Sequence, residues 1–460
     1  MRNGLGALIC LGLVSSAACH QVWNAVTTED CQSGSTNPEC ASAGWPTTDH
    51  GANSDPWLVT HNLVITSMKP NVLVLNFDNN VTTADTLMTA QTLAGALGVG
   101  SKYQGYQDAA APQFLQYNIL PIVDLTNFNP NNPMSNPNNP PVPAGWTNPS
   151  STLLPTDSTG KFDPTQLFQS QFANFGFSDT SSQPLSLCQL FEKGYVNEVW
   201  IQDGETDAMG GPQRRAPLYL ERKQMYDDTG LAIPGSFEDC IGGGSGAVCL
   251  DGISCNVTVR LVHIDPTNGG EGVSCNLEVQ GWGIEGMWKV LPSFQTDAYA
   301  FLNLDFDTRF HVTFNGWPDI CGLSGAPCVS YPTDPTQFAA ASPPGIVPLV
   351  PAWSIPSPTF RQGCGSSQFQ PNATLRGDFG NTTTNVESRC AHFGLGDGPD
   401  GGDAYEVYPA ATVAAQNQTY VGDCGGGWQI YWRQSMPGYQ NKATAFDGTP
   451  MKNWWPMLFY

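Results

Sequence analysis

The chain has 460 residues and a net charge of −22, from 40 acidic residues against 18 Lys and Arg. A nucleic-acid binder needs a basic face for the phosphates, and anionic lipid heads attract the same kind of face, so this charge balance speaks against both partners. Aromatic residues make up 11% and charged residues 13%, against a usual ~25% charged; that excludes a disordered chain and describes an exported globular protein with a surface of Asn, Gln, Ser and Thr.

The N-terminal segment fits export. Arg2 supplies a positive start, Leu5 to Val14 a short apolar run and Ser16-Ala17-Ala18 the small residues before a cleavage point, so residues 1–19 read as a signal peptide. The apolar run is too short to span a bilayer. Cys19 follows directly, and this resembles the lipobox of bacterial lipoproteins, in which that cysteine is acylated. Ser16 departs from the pattern, which usually carries Leu there. The expectation is lipidation at Cys19, with the membrane met only through that lipid. Ordinary cleavage is the alternative. Residues 20–68, polar and rich in Gly and Asn, read as a tether. Residues 69–460 read as a single large α/β body, loop-rich from about 315 to 460.

In chain order, Val72 to Phe77 is a nearly continuous apolar run, the pattern of a strand buried on both faces. It closes on Asp78. A helix is expected next, with Thr82 or Thr83 as N-cap, Asp85 in its first turn, a stripe of Leu87, Ala90, Ala94 and Leu97, and an end at Gly98. Ile119 to Leu125 predicts a second strand around Asp124. Residues 127–160, thick with Asn and Pro, predict an irregular excursion. Leu185, Leu187, Leu190 and Phe191 predict a helix that stops at Gly194. Tyr195 to Gln202 predicts a third strand, followed by Asp203-Gly204-Glu205. Residues 236–256 read as a Gly- and Cys-rich loop, and the run from Val257 through His263 to Asp265 as a fourth strand. Alternation over 302–314 predicts a half-buried strand or bent pair. The fold class is therefore α/β: a mostly parallel sheet flanked by helices, with Pro-, Asn- and Gly-rich disulfide-stapled loops and some antiparallel pairing in the C-terminal half.

Leaving aside Cys10 and Cys19, the remaining cysteines are even in number and contain no Cys-x-x-Cys. Disulfides are the expectation, with Cys31/Cys40 and Cys321/Cys328 spaced as local staples. The apolar C-terminus and the run Trp428, Tyr431, Trp432 are expected to pack inside.

Candidate chemistry rests on position. Asp78, Asp124, Asp203 and Asp265 each end a predicted strand, and Glu205 lies just beyond the third. Sites in open α/β sheets form outside the carboxyl ends of strands. Carboxylates gathered there act as general acid and base or hold a divalent cation. His263, two residues before Asp265, joins the catalytic candidates. Asp397, Asp400 and Asp403, set among glycines, are candidate ligands for a divalent cation such as calcium. No Gly-x-Ser-x-Gly elbow, phosphate-binding loop or His-Glu-x-x-His motif occurs, which argues against a standard serine hydrolase, nucleotide chemistry and the common zinc hydrolases.

Val196-Asn197-Glu198-Val199-Trp200-Ile201, followed by Glu221-Arg222, is one familiar stretch. Trp432 to Gly438 with the closing Asn453-Trp454-Trp455 is another. Together they resemble a family of exported bacterial proteins of unassigned activity that end in a tandem Trp. The resemblance covers about a third of the chain and implies export and an α/β body; it transfers no function. The expectation for function is a hydrolase acting on an extracellular polymer of the glycan type. The alternative is a non-enzymatic surface lipoprotein that binds glycan or a protein partner.

Overall fold

A computed structural model describes residues 43–78, 81–125, 155, 162–169, 172, 175–202, 219–241, 249–264, 361–362, 364, 387–399, 401–417, 426–445 and 448–460, with isolated positions between 277 and 301. The excursion expected over 127–160, apart from Pro155, the strand expected over 302–314, and the pairs Cys31/Cys40 and Cys321/Cys328 lie outside these. Residues 44–460 form one compact unit.

The expected tether therefore ends earlier than residue 68. Strand β1 (Ala43–Trp45), helix α1 (Pro56–His61) and strand β2 (Ile65–Met68) follow one another here, and Trp45, Leu58, Val59, Ile65 and Met68 are buried. The polar residues that suggested a solvated segment are tied inward. Asn53 Nδ2 donates to the Asn197 carbonyl at 2.8 Å, and the Ser54 N–H to the Phe459 carbonyl at 2.8 Å. Buried polar groups of this kind are stable only when so paired.

Strand β3 (Asn71–Asn76) is buried from its second residue onward. Helix α2 (Thr83–Gly100) follows, and Thr82 and Asp85 form a reciprocal capping box at its start, each satisfying an amide that the helix leaves open. Of the predicted stripe Ala90 and Leu97 are buried and Ala94 packs against the core, but Leu87 is 37% exposed. The buried face also takes in Thr86, Thr89, Leu93, Ala96 and Gly100. At the end of the helix a close neighbour requires glycine: a Cβ on Gly100 would lie 2.9 Å from Arg433 Cδ. The helix also runs past Gly98, because Ser101 supplies the cap. Its Oγ donates to the Gly98 carbonyl and accepts from the N–H groups of Phe114 and Leu115.

The predicted second strand is two short pieces, β4 (Asn118–Ile119) and β5 (Val123–Asp124), both parallel to β3 on the same side. Pro121 lies between them; without an N–H it cannot continue the ladder. Helix α3 (Leu187–Glu192) has a capping box from Ser186 and Gln189, and Gly194 takes a φ of +69° after it. Then come β6 (Glu198–Gln202), β7 (Tyr219–Tyr226), β8 (Ala232–Ile241) and β9 (Val259–Ile264). The hairpin β7–β8 was missed, and residues 236–241 of the expected loop are part of β8. Asp227 turns this hairpin by accepting from the N–H groups of Thr229 and Leu231.

The strands assemble into a seven-stranded sheet in the order β4-β3-β6-β9-β7-β8, with β5 also on β3. Pairings are parallel from β4 and β5 to β9, and antiparallel for β9–β7 and β7–β8. This is a mixed, mostly parallel α/β fold. Alternate residues feed two cores. On one face Val72, Val74, Trp200, Tyr219, Val262 and Ile264 pack with α2, helix α5 (Gly426–Ser435) and the aromatic C-terminus. On the other Leu73, Leu75, Val199, Ile201, Leu220 and Leu261 pack with α3 and the 3₁₀ turn Pro164–Phe168. Trp428, Tyr431, Trp432, Trp454 and Trp455 are all buried.

A small three-stranded sheet joins β10 (Arg361–Gln362), β11 (Glu387–Ser388) and β12 (Glu406–Val407), with helix α4 (Ala410–Gln416) after it. Disulfides join Cys188 to Cys255, Cys240 to Cys249 and Cys364 to Cys390. The first ties α3 to the approach of β9. These crosslinks fit an oxidising, exported environment. Among the described residues no helix is long and apolar enough to cross a membrane.

Candidate functional site at the carboxyl edge of the sheet

Strand register brings the carboxyl ends of β5, β3, β6 and β9 side by side. Asn76 is the Cα partner of both Asp124 and Gln202, and Gln202 that of Ile264. Asp78 stands two residues beyond Asn76. The chain leaves β3 toward β4 and β5 on one side and returns to β6 on the other. The intervening helices also lie on opposite faces, α2 on one and α3 on the other. Such a reversal opens a crevice outside the strand ends, because the two connections diverge there.

The walls of this crevice are fixed. The Phe77 N–H donates to the Gln202 carbonyl at 2.7 Å and the Leu125 N–H to the Asn76 carbonyl at 2.8 Å. The Asn76 side chain accepts from the Asp78 N–H at 3.0 Å and donates to the Val81 carbonyl. Asp78 is 4% exposed, and Asp124 is half-buried. Asn76 and Gln202 lie on the α2 face. His263 pairs with Ile201 in register and has the parity of Leu261, so it belongs to the α3 face. The structure thus brings Asp78 and Asp124 together and sets His263 on the other side of the sheet. Asp203, Glu205 and Asp265 lie outside the described residues.

The acidic loop has a different character. Asp397 Oδ1 accepts from the Ala404 N–H at 3.0 Å, and its Oδ2 lies 2.7 Å from His392 Nδ1. Asp403 accepts from the N–H groups of Gly394 and Gly396, each at 3.0 Å. Partial burial works against ionisation of Asp397, yet the Ala404 N–H and His392 hold its carboxyl below the usual carboxylate range. Asp397 and Asp403, expected as calcium ligands, thus brace the loop by accepting from backbone amides. Asp400 lies outside the described residues. Among the described residues, the three-member grouping with metal-ligand spacing is Cys240, Cys249 and Asp251, and its two cysteines are joined to each other.

Sequence reading missed a charged row inside the sheet. Glu198, Arg260 and Glu221 occupy neighbouring positions across β6, β9 and β7. Arg260 reaches Glu198 at 2.7 Å and Glu221 at 3.1 Å, and also donates to the Leu458 carbonyl. Tyr117 and Trp200 donate to Glu198, and Tyr219 to Glu221. Lys223 lies 3.8 Å from Glu221 and donates to the carbonyls of Met457 and Leu458. Burial pushes the Lys223 ammonium down to about 8, against the pull of Glu221, and pushes the Tyr117 and Tyr219 hydroxyls up. The signal in the sequence is slight: Glu221 and Lys223 stand two apart between Tyr219-Leu220 and Met225-Tyr226, and charges are rarely fully buried. The row is closed to solvent and sits toward the amino end of β6, away from the crevice; its work is to specify packing and register.

Comparison with family models, curated proteins and solved structures finds no match for this chain. The class is thus defined by its own fold: a disulfide-crosslinked, mixed α/β protein, with Asp124 at the end of β5 in register with Asn76 of β3.

Proposed function

We propose that the protein is an exported hydrolase, anchored through Cys19, that cleaves an extracellular polymer of the glycan type at the crevice between β3 and β6. The observation that carries this reading is the register of Asp124 with Asn76, which sets Asp78 and Asp124 on adjacent strand ends. With strands ~4.8 Å apart and ~3.3 Å of rise per residue, two such carboxyls fall within about 10 Å of each other, the separation that paired glycosidase carboxyls use, ~5–10 Å. One serves as general acid and the other as base or nucleophile. The disulfides support the compartment. Trp428, Tyr431 and Trp432 are buried, so these rings offer no platform to the non-enzymatic alternative, a surface protein that binds glycan or a protein partner.

The test is release of reducing ends from a panel of polysaccharides. Asp78→Asn and Asp124→Asn are expected to leave the melting temperature nearly unchanged while lowering the rate by about 10²–10⁴-fold. Wild-type activity in both variants, or no release from any polysaccharide by the parent, rejects the reading. Mass spectrometry of the mature N-terminus checks the anchor: acylation at Cys19 is expected, and an unmodified terminus rejects it.

A further inference from the structure

We propose that an open cleft at the amino edge of β3 and β4 is a binding subsite for a neutral sugar unit. The proposal takes the kind of ligand from the polymer reading above but concerns a different place, at the opposite end of β3 from Asp78. The cleft has a volume of ≈ 450 Å³ and is lined by Pro46, Lys69, Asn71, Gln116, Tyr117 and Asn118, within the ~300–1,000 Å³ of small-molecule sites.

The lining selects the ligand. Among the described residues the lining holds no carboxylate, so it lacks the charge to retain a cation. Its single ammonium, Lys69, sits in a protein of net charge −22, whose field repels polyanions. What remains is three carboxamides and one aromatic ring. A carboxamide both donates and accepts, and so does a sugar hydroxyl. Asn118 Nδ2 donates to Asn71 Oδ1 at 2.8 Å. That bond fixes the pair while leaving the Asn118 carbonyl oxygen and the Asn71 amide hydrogens unspent among the described residues. Gln116 and Asn118 are exposed; their backbone N–H groups donate to the carbonyls of Met68 and Pro70, and Gln116 Nε2 makes a long contact of 3.4 Å to the Gln113 carbonyl. Tyr117 is held rigid. Its hydroxyl donates to Glu198 at 3.1 Å, and its ring lies 5.6 Å from that of Trp200. A pre-set aromatic wall beside paired amides suits the C–H face and hydroxyl rim of a pyranose, with little ordering cost on binding.

The experiment is calorimetric titration of the full mature chain with cello-, xylo-, manno- and malto-tetraose, and with tetragalacturonate as the anionic comparison. At least one neutral tetramer is expected to bind. The double variant Gln116→Ala/Asn118→Ala should weaken it about tenfold or more without shifting the melting temperature, and Gln91→Ala, at an exposed position of α2, should bind as the parent does. The proposal is overturned if no neutral tetramer binds, if the double variant binds unchanged, or if tetragalacturonate binds more tightly than the neutral probes. The failures are separable. Sugar binding at the cleft without any hydrolysis rejects the crevice alone, and hydrolysis with binding untouched by the double variant rejects the cleft alone.

Discussion

The two faces of the central sheet are built from alternate residues of the same strands, yet they are held by different physics. Toward α3 the strands present Leu73, Leu75, Val199, Ile201, Leu220 and Leu261, an apolar layer. Toward α2, α5 and the C-terminus the same strands carry Glu198, Arg260, Glu221 and Lys223 among buried aromatics. An apolar face contributes stability roughly in proportion to area and is indifferent to small slips in partner. A buried ionic row contributes little net energy but penalises every arrangement that separates its members. Because side-chain direction has period two, a one-residue slip of β9 would move Arg260 to the wrong face and leave two buried carboxylates alone. The apolar face therefore supplies burial, and the charged face supplies uniqueness.

The sharpest way to break this contrast uses two adjacent residues of β9. Arg260→Met removes the cation shared by Glu198 and Glu221, both fully buried, and is expected to cost about 3–5 kcal/mol in urea unfolding. A loss below ~1 kcal/mol would show that the row is dispensable. An intermediate effect comes from Lys223. Its folded-state value of about 8 lies below the usual 10.5, so between these values the unfolded chain holds the proton more readily. Stability then rises as pH goes up from 8, by about 2 kcal/mol at pH 10. Tyr117 and Tyr219, shifted upward by burial, reverse the trend at higher pH. Lys223→Met is expected to flatten the rise between pH 8 and 10; an unchanged slope would assign it to other groups. The smallest effect belongs to the apolar face, where Leu261→Met, volume-conserving and on the α3 side, is expected to cost less than ~1.5 kcal/mol.

Legibility in the sequence follows the same division. Strand β3 and the start of α2 were plain, because a continuous apolar run and a Thr pair followed by Asp85 are local signals; which Thr caps, and the reciprocal bond from Asp85, came with the structure. The stripe of α2 was legible at Ala90, Ala94 and Leu97 and not at its start, where Leu87 outranks Thr86 and Thr89 on hydrophobicity yet faces outward. Hairpin β7–β8 was unread, because Glu221, Arg222, Lys223 and Gln224 look solvated until Arg260 and the C-terminal carbonyls are placed beside them. At the candidate site, the carboxylates at strand ends were legible as positions. Their grouping was not, because which strands are neighbours is decided by crossovers many residues long. In the acidic Asp397–Asp403 loop the carboxylates were legible, and the backbone N–H groups that fold onto them were not, because those contacts depend on the turn's geometry.

By itself the sequence determined the chemistry available: an acidic, charge-poor, cysteine-paired chain with buried strands that end in Asp. Tertiary structure decided which of those groups meet. It joined β3 to β5 and β6, so that Asp78 and Asp124 share an edge, and it turned His263 to the other face. It drew Glu198, Arg260 and Glu221 into one row from three separate segments. Composition and local pattern set what each segment buries, whereas the partner it buries against depends on loop closure and strand order, which act between residues far apart in the chain.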